Sequence, residues 1–122
     1  MKIFMLMGAV FGGLGVAAGA FGAHALRSQL EPRMLEIFET AARYQMYHAL
    51  ALFATAWIHQ QSQAPAAQLA GWAFVAGILL FSGSLYAMAF TGVRGLGAVT
   101  PIGGASFLIG WLALAVAAAR LH

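Results

Sequence analysis

Formal charges are so sparse along this chain that the gaps between them outline its elements. No charged residue falls between Lys2 and Arg27, none between His59 and Arg94, and none between Arg94 and Arg120. Each gap exceeds the ~20 residues that a helix needs to cross the ~30 Å hydrocarbon core of a bilayer. The pattern predicts helical spans over about residues 3–26, 68–91 and 96–120, with Pro101 suited to a first helical turn or a kink.

A further span is predicted over about residues 42–61, and it is the unusual one. Only Tyr44 to Ile58 lies uncharged between Arg43 and His59, and Gln45, Tyr47 and His48 stand in its first turns. The segment ahead of it has Met34, Ile37, Phe38, Ala41 and Ala42 at amphipathic helical spacing, with Glu36, Glu39 and Arg43 elsewhere. Glu39 and Arg43 are placed to form an i,i+4 pair. The simplest reading is one long helix that begins at Pro32, lies at or rises through the interface, and then spans. The alternative is a separate interfacial helix before a bent span. With only short connections, at about 27–31, 60–68 and 91–100, residues 1–122 form a single domain. The expected fold is an all-α integral membrane protein. Its four transmembrane helices form an antiparallel bundle, with an amphipathic interfacial segment leading into helix 2.

Composition agrees, since 62% of residues are apolar and 7% charged, where a soluble domain has about a quarter charged. Too few polar side chains exist to cover a water-facing surface, which excludes a water-soluble globular enzyme. The chain has no Asp, Asn or Cys, a single Lys (Lys2), and Glu only at 31, 36 and 39. Disulfides, iron–sulfur ligation, a thiol nucleophile and N-glycosylation are therefore impossible, and no metal site is expected. Six basic residues scattered singly leave no footprint for nucleic acid. Lys2, the apolar run from Ile3 and Ala23-His24-Ala25 imitate a signal peptide, but that run is too long for a cleavable h-region and is read as a retained span. Arg27, Arg33, Arg43 and Arg94 outnumber Lys2 and Arg120 on the opposite side. The charge bias puts loops 1–2 and 3–4 in the cytoplasm of a bacterial inner membrane and both termini outside.

Small residues mark the expected packing faces. Gly8, Gly12, Gly15, Gly19 and Gly22 are spaced four, three, four and three, a heptad seam of glycine along helix 1. Gly103, Ser106, Gly110, Ala113 and Ala117 repeat the idea on helix 4, and Ala70, Ala73, Gly77, Ser84 and Ala87 on helix 3. Close backbone approach at such residues drives helix association in lipid, and the expected partners are bundle neighbours first, then another membrane protein or a second copy. The seam's middle, at Gly15, is expected to tolerate a large side chain less than Gly8 does, because an end can splay.

Polar residues within spans are expensive and often functional. His24 and His48 fall on the same side of the membrane, close enough in sequence to meet. Three readings stay open. Each histidine is neutral and hydrogen-bonds a carbonyl, Gln45, Tyr44 or Tyr47, bracing helix 1 against helix 2. Alternatively His24, Arg43, Gln45 and His48 form a quinone or lipid-headgroup site, or, less readily, both imidazoles hold a b-type haem. Angular spacing of ~100° per residue puts His24 nearly opposite the glycine seam, which argues against the haem. Ser82, Ser84 and Tyr86 are expected to hydrogen-bond within the bundle, and His59 and His122 to be solvated. With no Asp and no Glu in a span, a hydrolase would lack an orienting carboxylate, so no catalytic residue and no cofactor is assigned.

Several blocks in order carry a family resemblance: Gly19-Ala20-Phe21-Gly22-Ala23-His24-Ala25-Leu26; Tyr44-Gln45 with His48-Ala49-Leu50; Leu80-Phe81-Ser82-Gly83-Ser84-Leu85-Tyr86; and Thr100-Pro101 with Gly103-Gly104, Ser106-Phe107-Leu108 and Gly110-Trp111. They cover nearly the whole chain, which resembles the domain of unknown function 423 family of small bacterial inner-membrane proteins. That resemblance implies a multi-pass membrane protein and no established activity. The expected role is non-catalytic, an accessory or assembly subunit beside other membrane proteins, with a quinone-, lipid- or haem-binding component as the alternative.

Overall fold

A computed structural model describes residues 2–121. Among them the chain is helical with no strand, in the order α1 (Lys2–Leu26), α2 (Pro32–Ser62), α3 (Pro65–Thr91), a 3-10 turn (Arg94–Ala98) and α4 (Thr100–Ala118). Three of these are long and apolar enough to cross a membrane: α1, α3, and α4 together with its preceding turn. The fourth, α2, falls short because Arg33, Glu36, Glu39 and Arg43 occupy its first half and Gln45, Tyr47, His48, His59, Gln60 and Gln61 dilute the apolar run of its second, so four spans are more than length and composition alone support.

Local chemistry sets the helix ends. Prolines stand in the first turns of α2, α3 and α4, where the missing N–H would have no intrahelical partner. Helix α3 stops where Gly92 turns left-handed at φ 72° and its N–H reaches Met88 O at 2.8 Å. Pro65 starts α3 three residues earlier than the hydropathy pattern suggests, and α4 ends at Ala118, two residues short of Arg120.

The amphipathic segment is neither separate nor spent on the membrane surface. It is the first half of a continuous 31-residue α2. Its apolar positions Ile37, Phe38 and Ala41 are buried with Ala23 of α1 and with Leu85, Met88 and Ala89 of α3. The expected Glu39–Arg43 pair is absent: the Arg43 guanidinium donates to Thr40 Oγ1 at 3.2 Å. Among the described residues the one ion pair is Arg33–Glu36 at 3.4 Å, and its exposure makes it worth little.

The glycine seam of α1 faces α2 antiparallel, Gly8 against Ala49 and Phe53, Gly15 against Gln45 and Met46, Gly19 against Ala42, and Gly22 against Phe38. Its closest approaches are at the two ends. A Cβ on Gly8 would stand 3.0 Å from the Ala49 carbonyl oxygen, which belongs to backbone, and one on Gly22 would stand 3.1 Å from the Phe38 ring. At Gly15 it would meet the flexible Met46 tip at 3.5 Å, an ordinary contact. The expectation that Gly15 is the sensitive position is therefore reversed.

Tighter still is the α3–α4 interface, where aromatic rings sit in glycine notches on both sides. Phe107 of α4 fills the place of a side chain at Gly77, and Phe74 of α3 stands 2.6 Å from where a Cβ of Gly110 would be. Gly103 rests on the backbone of Phe81, and Phe4 of α1 occupies the notch at Gly71 with its ring edge-on to Trp72 at 5.2 Å. These contacts build one apolar cluster around Phe4, Leu52, Phe74, Phe107 and Leu114, and a second around Phe38, Ala41, Leu85 and Met88. Between the two clusters lies a layer of polar side chains.

Candidate functional site

That polar layer is built from hydrogen bonds that each tie two helices together. Gln45 Nε2 donates to Phe11 O at 2.8 Å, joining α2 to α1. Because a carbonyl can only accept, the amide must point its nitrogen there, which leaves Gln45 Oε1 to accept the Tyr86 hydroxyl from α3 at 2.8 Å. Ser82 of α3 donates to Ala41 O on α2, and Ser106 of α4 donates to Ala73 O on α3, both at 2.7 Å. Ser84 of α3 donates to Phe81 O at 2.9 Å, which leaves its oxygen to accept the Thr100 hydroxyl of α4 at 2.6 Å. Among the described residues no buried polar side-chain atom lacks a partner, as a low-dielectric interior requires.

His48 has the same character. Its Nδ1 lies 2.7 Å from Tyr44 O, which can only accept, so the proton is on Nδ1. Its Nε2 is then the acceptor for the Trp111 indole N–H at 3.1 Å. The ring lies flat on Phe107, with centroids 3.5 Å apart and planes 5° from parallel. The carbonyl hydrogen bond expected of a neutral histidine is present, but the brace runs from α2 to α4, whereas α1 is braced by Gln45. His24 faces out of the bundle, and the two histidines do not meet. With both ring nitrogens of His48 engaged and His24 turned away, the residues present do not fit a bis-imidazole haem.

The four side chains of the suggested quinone or headgroup site diverge for a geometric reason. Gln45 and His48 are three residues apart, a separation of ~60° around a helix, which is enough to aim one at α1 and α3 and the other at α4. Arg43 lies on the outside, at a groove formed with Gly15, Gly19 and Glu39. What the sequence reading missed is that Gln45 instead shares a cleft with Ser82 and Tyr86. The buried-network signal was visible in those residue types, but nothing in their spacing aligns positions 45, 82 and 86. His122 lies outside the described residues.

The cleft, about 360 Å³, opens between α1 and α3 above α2. Phe11, Leu14 and Ala18 form one wall, Ile78, Leu79 and Gly83 the other, and Gln45, Ser82 and Tyr86 lie at the floor. Both walls contain a π-helical turn, Ala17–Gly22 in α1 and Ile78–Ser82 in α3. Such turns interrupt a helix at a cost in regularity and recur at functional sites.

Apolar helices stitched by interhelical hydrogen bonds and close glycine contacts define an α-helical membrane protein. The chain belongs to the family described as "Protein of unknown function (DUF423)", which it matches over residues 18–104, so the resemblance drawn from the sequence blocks holds. It is 44% identical over 121 residues to the UPF0382 membrane protein YwdK of Bacillus subtilis, covering 98% of each chain. It is 47% identical over 117 residues to a UPF0382 membrane protein of Staphylococcus epidermidis, covering 96% of this chain and 95% of that one. A Staphylococcus aureus relative is 44% identical over 117 residues, with 96% of this chain and 95% of the relative covered. No solved structure gives a significant match.

Proposed function

We propose that this chain is a four-span protein of the bacterial inner membrane that does no covalent chemistry and serves as an accessory or assembly subunit beside other membrane proteins. The observation that carries this reading is the one-sided cover of α1. Among its described residues α1 buries only Phe4, Gly8, Gly15 and Ala23, so beyond the glycine seam, the Phe4 contact and the cleft wall the helix is bare. On its outer side Ala9, Gly13 and Ala17 form a second row of small residues, and a Cβ on Gly13 would meet nothing within 4 Å. The occupant that fits is an apolar transmembrane helix of another protein, able to approach that row closely.

Co-purification from native membranes tests this. The parental chain should bring down a reproducible membrane neighbour, and Gly13→Leu should lose it while keeping the parental unfolding temperature. Recovery of the chain alone, or a neighbour retained by Gly13→Leu, would reject the docking reading; crosslinks solely between copies of this chain would make the partner a second copy.

Loops 1–2 and 3–4 are assigned to the cytoplasm, because Arg27, Arg33, Arg43 and Arg94 outnumber Lys2 and Arg120. In intact cells a cysteine introduced at Ser28 should be shielded from an impermeant thiol reagent and one at Ser62 should react. The native chain has no thiol to interfere, and the reverse labelling pattern would invert the orientation.

A further inference from the structure

We infer that the cleft between α1 and α3 is a binding site for an uncharged lipid whose head carries a carbonyl or hydroxyl group, seated on Gln45, Ser82 and Tyr86. The floor has hydrogen-bonding capacity beyond what the bundle uses. Gln45 is only 5% exposed, and its amide nitrogen spends one of two hydrogens on Phe11 O, so a residue lining the cleft keeps one donor unspent. Tyr86 gives its proton to Gln45 and Ser82 gives its own to Ala41 O, which leaves both oxygens as acceptors. The one free amide N–H can serve a carbonyl or an alcohol oxygen, the two hydroxyl oxygens can in addition accept an alcohol's proton, and no cation or carboxylate lines the cleft to hold a charged head.

Entry and size point the same way. The mouth is flanked by Leu14 and Leu79, which are 56% and 61% exposed, so the cleft opens at the outside of the bundle between two helices apolar enough to be spans. About 360 Å³ is at the small end for a ligand site, enough for a ring or short head while a chain trails into the bilayer. Helices α1 and α3 meet where Phe4 enters the Gly71 notch, and farther along they part around the cleft. Both π-helical turns lie where they part, one on each wall. The cleft wall of α1 carries Phe11, Leu14 and Ala18, a different side from Gly13, so loss of ligand and loss of a protein partner are separable.

The test is saturable binding of radiolabelled decylubiquinone and farnesol to the full chain in lipid nanodiscs. A Cβ on Gly83 would meet nothing within 4 Å, so Gly83→Leu should plug the cleft without a clash. It should weaken binding at least about tenfold with an unfolding temperature equal to the parent's. Leu14→Trp at the mouth repeats the block from the other wall, and Gly104→Leu, in the groove beside His48, should bind as the parent does. Preference for decylubiquinone would assign the quinone carbonyl as the recognised group, and equal or tighter farnesol binding would assign a lipid alcohol. The inference is overturned if neither probe binds saturably, or if binding survives both blocking variants.

Discussion

Gly103→Ala should unfold the protein at a markedly lower temperature, or lower denaturant, than the parent, while its neighbour Gly104→Ala should be as stable as the parent or more so. Both changes gain the same ~1 kcal/mol of helix propensity when glycine is replaced inside α4. They differ in what the new methyl meets. At Gly103 it would overlap the backbone nitrogen and Cα of Phe81, which cannot rotate away. At Gly104 the nearest atom is a Phe81 ring carbon at 3.9 Å, an ordinary contact. Overpacking of this kind costs ~1–3 kcal/mol or more, which outweighs the propensity gain. In lipid no hydrophobic drive restores a separated helix pair, so the loss falls directly on α3–α4 association. Equal unfolding curves for the two variants in detergent micelles would show that these helices do not meet at this register.

Removing the His48 ring should be far more damaging than removing the hydrogen bond it accepts. Trp111→Phe deletes the indole N–H and trims a ring that is 46% exposed while keeping an aromatic beside His48 and Phe74, and interhelical hydrogen bonds in bilayers average ~0.6 kcal/mol. His48→Ala removes the same bond, the contact with Tyr44 O, and a ring buried flat against Phe107. By analogy with large aromatic truncations the vacated space costs ~3 kcal/mol. The expected order of stability is parent, then Trp111→Phe slightly below it, then His48→Ala well below both, with His24→Gln indistinguishable from the parent because that side chain faces outward. A large effect of His24→Gln would restore the pairing of the two histidines that the structure separates, and a harmless His48→Ala would mean that the ring is not part of the core.

The sequence by itself determined the class of protein, the helix order, the family and the positions where helices come close. Those are local properties: an apolar run of ~20 residues must satisfy its backbone internally wherever it sits in lipid, and glycines at heptad spacing present one face whatever lies opposite. It also identified Gln45, His48, Ser82, Ser84 and Tyr86 as residues needing partners. Which partners they take was decided only by the tertiary structure. Pairing depends on how four rods are arranged and turned about their axes, and hydropathy carries no azimuth for a helix that is apolar all round. So Gln45 reaches Phe11 and Tyr86, and His48 turns ~60° away to Trp111. The glycine seam is tightest at Gly8, where a carbonyl lies opposite, and looser at Gly15, where the Met46 tip does. The π-helical turns likewise leave no mark in the periodicity of Ala17–Gly22 or Ile78–Ser82, because they redistribute hydrogen bonds within an unbroken apolar run, and the cleft beside them exists only once α1 and α3 are docked on α2.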